Sequence, residues 1–171
     1  MLLFENLVPV SRTDAILKRL LALHPKLIDL SLVRIERLLA QLGHPEEHLP
    51  PVIHVAGTNG KGSVCAMLST ILERAGFKVG TYSSPHILRY NERVAINMQP
   101  VSDERIVQSF AAIEAARGDT TLTYFEFGTL AAMHTFIDEQ VDVAVLEVGL
   151  GGRLDAVNIF EPEVSVVVSV D

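Results

Sequence analysis

The sequence predicts an α/β fold: three layers, a mostly parallel sheet and a P-loop-type nucleotide-binding site. Three observations lead there. Short β-branched runs alternate with helical patterns along most of the chain. Several of these runs are apolar on both faces, as strands covered by helices above and below must be. A glycine-rich turn carrying a lysine, Gly57-Thr-Asn-Gly-Lys-Gly-Ser63, joins the first such run to a helical pattern. At such a junction, backbone N–H groups and a helix N-terminus gather phosphates.

The elements follow in order. Ser11 or Thr13 can cap a first helix whose apolar face is Ile16, Leu17, Leu20 and Leu21. A second helix is expected from about Leu30 to Leu42, with Val33, Leu38, Leu39 and Leu42 inward and Gly43 as its stop. The prolines of His44–Pro51 make a connector. Val52–Ala56 is a first buried strand, followed by the glycine loop and a helix that ends at Gly76. Lys78–Tyr82 is a second strand and Val94–Asn97 a short extended piece. Ser102, with Asp103 and Glu104 in the first turn, opens a helix carrying Ile106, Val107, Phe110, Ala111 and Ile113. Another helix covers Tyr124 to Glu139, with Phe125, Phe127, Met133 and Phe136 read as one face. Val141–Leu146 and Val164–Val170 complete the strands. The chain stops at Asp171, directly after a β-branched strand and at the edge where α/β proteins bind ligands. The expectation is therefore a helical lead-in over 1–50, packed on the front part of an ATP-binding domain over 51–171, in a truncated chain.

Bulk properties narrow the function classes. The 171 residues suffice for one domain, and a 49% hydrophobic, 20% charged composition is neither disordered nor low in complexity. The net charge of −7 lacks the basic footprint of a nucleic-acid binder. The single cysteine, Cys65, permits no internal disulfide and fits a reducing, cytoplasmic setting. Its place early in the helix after the glycine loop suits a small buried residue rather than a nucleophile. No run is long and apolar enough to span a membrane. Glu5 and Asp14 interrupt any signal-peptide pattern.

The loop itself points to ATP. Gly57, Gly60 and Gly62 allow a tight turn whose amides reach phosphate oxygens. Thr58 and Asn59 complete the loop, Lys61 supplies a point charge for the β- and γ-phosphates, and Ser63 offers a hydroxyl to phosphate or magnesium. The spacing departs from G-x-x-x-x-G-K-[ST], because Gly62 separates Lys61 from Ser63.

Other candidates lie where strand ends should converge. Ser83-Ser84-Pro85-His86 follows the second strand, with Arg89, Asn91, Glu92 and Arg93 after it. Glu147 ends the next strand before Gly149–Arg153, Asp155 and Asn158, and Asp171 closes the last. Hydroxyls and carboxylates there suit magnesium, a hard cation that takes few protein ligands beside phosphates and waters. Glu147 could instead pair with Arg153, Ser84 could merely shape a turn before Pro85, and His86 could be an ordinary loop residue. His54 reads as a packed, hydrogen-bonded histidine. Glu126, among aromatics, needs a partner or a ligand.

Taken together, Ile53-His-Val-Ala-Gly-Thr-Asn-Gly-Lys-Gly-Ser63, Ser83-Ser-Pro-His86 with Asn91-Glu-Arg-Val94, Thr123-Tyr-Phe-Glu126, and Glu147-Val-Gly-Leu-Gly-Gly-Arg-Leu-Asp-Ala156 resemble folylpolyglutamate synthase and the bifunctional dihydrofolate synthase/folylpolyglutamate synthase. These are ATP-dependent ligases of the Mur superfamily, and the resemblance runs from about Leu32 to Asp171. It implies a Mur-ligase-like central domain that uses ATP and Mg2+ to activate a carboxylate of folate or dihydropteroate as an acyl phosphate, which the amino group of L-glutamate then attacks. It further implies that Gly57, Thr58, Asn59, Gly60, Lys61, Gly62 and Ser63 hold the ATP phosphates. Ser84 and Glu147 would hold magnesium, with Lys61 and Glu147 as the catalytic pair. Ser83, Pro85, His86, Arg89 and Arg93 would lie near substrate, while Asp155 and Asn158 shape the site. The family continues with an Asp-His pair, a carbamylated lysine and a C-terminal glutamate-ligase domain that are not in this sequence, and its members often work as monomers. The competing readings are a Mur-type peptidoglycan-precursor ligase and a noncatalytic nucleotide-binding module.

Overall fold

A computed structural model describes residues 12–22, 24, 31–149 and 153–171. The expected cap Ser11, the start of the second helix at Leu30, the early Glu5 and the glycine turn at 150–152 lie outside them. Among the described residues the order is α1 (Arg12–Leu20), α2 (Val33–Gln41), β1 (Val52–Ala56), α3 (Lys61–Arg74), β2 (Val79–Tyr82), β3 (Val94–Ile96), β4 (Gln99–Pro100), α4 (Asp103–Ala116), α5 (Tyr124–Asp138), β5 (Val143–Glu147) and β6 (Val164–Val167). Short 3-10 turns occupy Pro45–His48, Tyr90–Arg93 and Ala156–Ile159. Among the described residues no helix is long and apolar enough to cross a membrane.

One six-stranded sheet runs in the order β4-β3-β2-β5-β1-β6. β2, β5, β1 and β6 are mutually parallel, while β3 and β4 turn back antiparallel. The period-2 pleat of β5 divides the core. Val143 and Val145 join Val55, Val79 and Cys65 beneath α3. Ala144 and Leu146 face the other way, into the larger core with Val52, Tyr82 and the apolar residues of α4 and α5. The three layers follow directly from that alternation. A buried hydrogen bond between Ser69 and Thr81 hydroxyls, 2.7 Å long, fixes α3 on β2.

Local signals explain the helix ends. Ser102 accepts the Arg105 amide at 3.2 Å, and Asp103 and Glu104 occupy the first turn of α4, where they complement the helix dipole. Thr123 and Glu126 form a reciprocal capping box at the start of α5.

Several expected faces differ. Val33 and Leu42 are exposed, and Ile35 with Leu38 and Leu39 forms the buried stripe of α2. Leu21 lies outside, past the end of α1, and Thr13 is a buried residue within that helix, not its cap. Ala111 is exposed, and Ser109 is buried on α4 in its vicinity. The aromatic residues of α5 do not mark one face: buried residues run without a break from Glu126 to Met133, then include Thr135 and Phe136. The helix is enclosed all round, as a helix without a polar stripe should be. β6 lies at the sheet edge and is largely exposed, unlike the covered strands inside it.

His54 is packed as expected, at 5% exposure, but its Nε2 is buried with no hydrogen-bond partner among the described residues. Burial disfavours its charged form and lowers its pKa from the ordinary 6.5.

Two predictions arise from this packing. A Cβ on Gly80, in the middle of β2, would stand 2.6 Å from the Phe136 ring. Gly80→Ala should therefore cost about 1–3 kcal/mol through overpacking, measurable as a lower urea midpoint. Below pH 6.5 the unfolded chain binds a proton at His54 that the folded chain resists. Stability should fall as pH drops from 6.5 toward the lower folded value and then level off. Urea titrations at a series of pH values should show that slope in wild type and a flatter profile in His54→Phe.

Candidate functional site

The parallel strands deliver their carboxyl ends to one edge of the sheet. Val55 is paired with Glu147, Tyr82 with Leu146 and Ala56 with Val167, so the chain leaves β1, β2, β5 and β6 at nearly the same level. This is the edge at which open α/β sheets bind ligands.

From β1 the chain enters the glycine loop. Gly57 has φ of +132° and Gly60 +84°, both in the left-handed half of the map, where a side chain is disfavoured. Gly57 is also closely hemmed in, since a Cβ there would lie 2.8 Å from the Ser169 carbonyl oxygen. Gly60 is the residue from which α3 begins, so Lys61, Gly62 and Ser63 form the first turn of a 14-residue helix. Thr58, Asn59, Gly60, Gly62 and Ser63 are exposed. Lys61 Nζ donates to the carbonyls of Gly57 at 2.9 Å and Thr58 at 3.2 Å, which folds the side chain back across the loop.

Glu147 is the centre of the arrangement. It is 5% exposed and ends β5. Oε2 accepts the Ser84 amide at 2.9 Å, and Oε1 lies 3.9 Å from where a Cβ on Gly62 would stand. Glu147 thus accepts from the segment after β2. The Ser84 hydroxyl lies 3.3 Å from a Cβ built on Gly149, beside the Phe125 ring. The exits of β2 and β5 and the start of α3 therefore meet around one carboxylate and one hydroxyl. Cys65, one turn into α3, is buried, and burial together with the Glu147 charge pushes its thiol up to about 12. It is a packed apolar residue, not a nucleophile.

The segment after β2 is built on Glu92. Its carboxylate accepts the amides of Ile87 at 2.7 Å, Arg89 at 2.8 Å and Leu88 at 3.0 Å, and these bonds lower its pKa. Ser83 donates its amide to the Arg93 carbonyl at 2.9 Å, and the Ser84–Pro85 peptide is cis. Arg93 is buried, donates Nε to His86 Nδ1 at 2.8 Å, and lies 5.5 and 5.6 Å from the ring centres of Tyr90 and Tyr124. Its charge is held by aromatic faces. Arg89 is exposed on the same loop.

Glu126 resolves as a structural carboxylate. It accepts the Thr123 amide at 2.6 Å and Arg34 Nη2 at 2.9 Å, so its partners are a helix cap and a partly buried ion pair. Asp155 is buried and caps the turn that follows it through the Val157 amide at 3.0 Å. Sequence reasoning singles out neither Ser169, which bonds the loop across 110 positions, nor Tyr124 as a cover for Arg93.

Among the described residues no three His, Cys, Asp or Glu side chains cluster as a metal site would require. The hard donors present, Glu147 and the Ser84 hydroxyl, instead suit a cation that completes its shell with phosphate oxygens and water.

No protein-family model matches the chain. It is 54% identical over 148 residues to the dihydrofolate synthase/folylpolyglutamate synthase of Escherichia coli strain K12, an alignment covering 86% of this chain and 35% of that protein. Among solved structures, E. coli FolC in complex with DHPP and ADP is similar at TM-score 0.87 and 51% identity, over 94% of this chain and 39% of that one. A bifunctional folylpolyglutamate synthase/dihydrofolate synthase with Mn, AMPPNP and L-glutamate bound is similar at TM-score 0.84 and 49% identity, over 92% and 38%. The chain spans about a third of the length of the curated relatives it matches. By sequence and by its Mur-ligase-like α/β fold, the chain belongs to the dihydrofolate synthase/folylpolyglutamate synthase family.

Proposed function

We propose that this chain is the ATP-binding part of a cytoplasmic ligase that joins L-glutamate to folate, to dihydropteroate, or to both. One observation carries the reading: the Gly57–Ser63 loop, the buried Glu147 and the Ser84 hydroxyl converge at the carboxyl edge of the parallel sheet. The related proteins solved with ADP, and with Mn, AMPPNP and L-glutamate, support it.

The residues fit a metal–nucleotide. The loop offers exposed amides at the start of α3, and its positive-φ glycines keep side chains away from incoming phosphate. Lys61 would leave the Gly57 and Thr58 carbonyls, which cost it little as exchangeable partners, and turn to the β- and γ-phosphates. Glu147 and Ser84 would hold Mg2+, directly or through water, and the Ser84 amide keeps the carboxylate oriented. Bound there, the cation neutralises charge on the transferring phosphoryl group.

In the proposed reaction an oxygen of the acceptor carboxylate attacks the γ-phosphorus and ADP leaves, giving an acyl phosphate. The glutamate nitrogen then attacks the acyl carbon, phosphate departs, and the amide forms after loss of a proton. Lys61 would stabilise charge during the first step. The loop from Ser83 to Arg93, held by Glu92 and the Arg93–tyrosine contacts, would border the acceptor, with Pro85 and Arg89 exposed and His86 held against Arg93. Residues 1–50 form the lead-in and 51–171 the front of the ATP-binding domain. Glutamate transfer would belong to the longer protein.

Mg-ADP titration calorimetry checks the nucleotide site. Lys61→Ala should weaken binding by at least roughly tenfold. Glu147→Gln, which keeps an acceptor for Ser84, should reduce the dependence on Mg2+ more than the affinity for free ADP. Ligation checks the reaction. The full-length protein containing this chain should incorporate labelled L-glutamate in an ATP- and Mg2+-dependent way when offered dihydropteroate or tetrahydrofolate, and the 171-residue chain should not. No product from the folded full-length protein with either acceptor would refute the folate-ligase reading.

A further inference from the structure

The phosphate loop does not hold its shape alone. It is laced to the segment that leaves β6. The Thr58 amide donates to the Ser169 carbonyl at 2.6 Å, and the Ser169 hydroxyl donates to the Asn59 carbonyl at 3.2 Å. The Asp171 amide donates to the Thr58 hydroxyl at 3.2 Å, and Asn59 Nδ2 donates to Asp171 Oδ2 at 3.0 Å. Packing makes the same connection, because the space that a side chain at Gly57 would need is filled by Val168 and Ser169. The two segments also form an isolated antiparallel bridge at Asn59 and Ser169.

We propose that Asn59 and Asp171 form a latch that sets the conformation of the phosphate loop, so that Asp171 is a positioning residue for nucleotide and not a metal ligand. The inference rests on the nucleotide-site reading above. The loop hangs between two anchored points, β1 before it and α3 after it. Its middle, Thr58–Asn59, is exposed and carries no apolar side chain that could bury itself. Hydrogen bonds are therefore its available restraint: one reaches the Thr58 carbonyl from Lys61, and four others tie the loop to Ser169 and Asp171. A loop ordered before nucleotide arrives loses less conformational entropy on binding. With the Asp171 carboxylate on Asn59 Nδ2, the Asn59 side chain is drawn toward β6. Its role is to receive a carboxylate, since an amide N–H donor is what an ionised acceptor requires.

The test compares Asn59→Ala, Asp171→Ala, the double variant and Asp171→Asn in the 171-residue chain. Two quantities are read: hydrogen exchange of the amides at 58–60 without nucleotide, and Mg-ADP affinity, with thermal melting as a check on the fold. Each alanine variant should speed exchange and weaken ADP by roughly three- to tenfold. The double variant should be no worse than either single, because both remove one interaction. Asp171→Asn, which retains an acceptor oxygen, should stay within about twofold of wild type. Unchanged affinity in Asp171→Ala overturns the latch, as does an Asp171→Asn loss equal to that of Asp171→Ala, which would report a charge on the metal. A wild-type chain that binds no Mg-ADP overturns the nucleotide reading and the latch together, and is distinguished by the absence of binding before any substitution.

Discussion

Parallel pairing of β1 with both β5 and β6 is the constraint from which the site follows. Because the strands run the same way in near register, each releases its chain at one edge, and residues far apart in sequence are delivered to the same few ångströms. Glu147 can then accept an amide from a segment 63 positions away while its other oxygen faces the first turn of α3. A carboxylate at 5% exposure is costly unless it is bonded or bound. The Ser84 amide supplies part of that compensation.

The second core has a different task. It encloses α5 from Glu126 to Met133 and anchors the helix by Thr123 and Glu126 at its start, with Arg34 closing the carboxylate from α2. α2 is thereby tied to α5 through an ion pair as well as through apolar packing. Removing one member of such a partly buried pair leaves the other charge without its partner. Tyr90 and Tyr124 treat Arg93 similarly, so the loop after β2 is a braced structure with an exposed outer rim at Ile87–Arg89.

Legibility in the sequence tracked the locality of the cause. The β1–loop–α3 junction was readable because a strand, a glycine turn and a helix start are specified by adjacent residues, and the structure gives Val52–Ala56 and a helix from Lys61 as expected. The cap at Ser102 was readable for the same reason. The face of α5 was not, because a helix enclosed on all sides has no polar stripe to orient it. Val33 and Leu42 were misplaced because Ile35 competes for the same inward direction and only tertiary packing decides. Long-range partners left no trace: Glu126 with Arg34 across 92 positions, and Asn59 with Asp171 across 112. Glu147 was located correctly from its position at a strand end, yet its bond to the Ser84 amide required the fold.

The two edges of the sheet are defended unequally. At one, β4 is two residues long and ends in Pro100, whose missing N–H and fixed ring discourage another strand from joining. At the other, β6 offers four residues without a charge or a proline; its end residues Val164 and Val167 are exposed, as is Val170 beyond it. Its outward amides and carbonyls form a ready template for a β-strand from another molecule. Concentration is thus a variable in handling the 171-residue chain: self-association should start at the β6 side, and a lysine at Ser165 would be the economical guard against it.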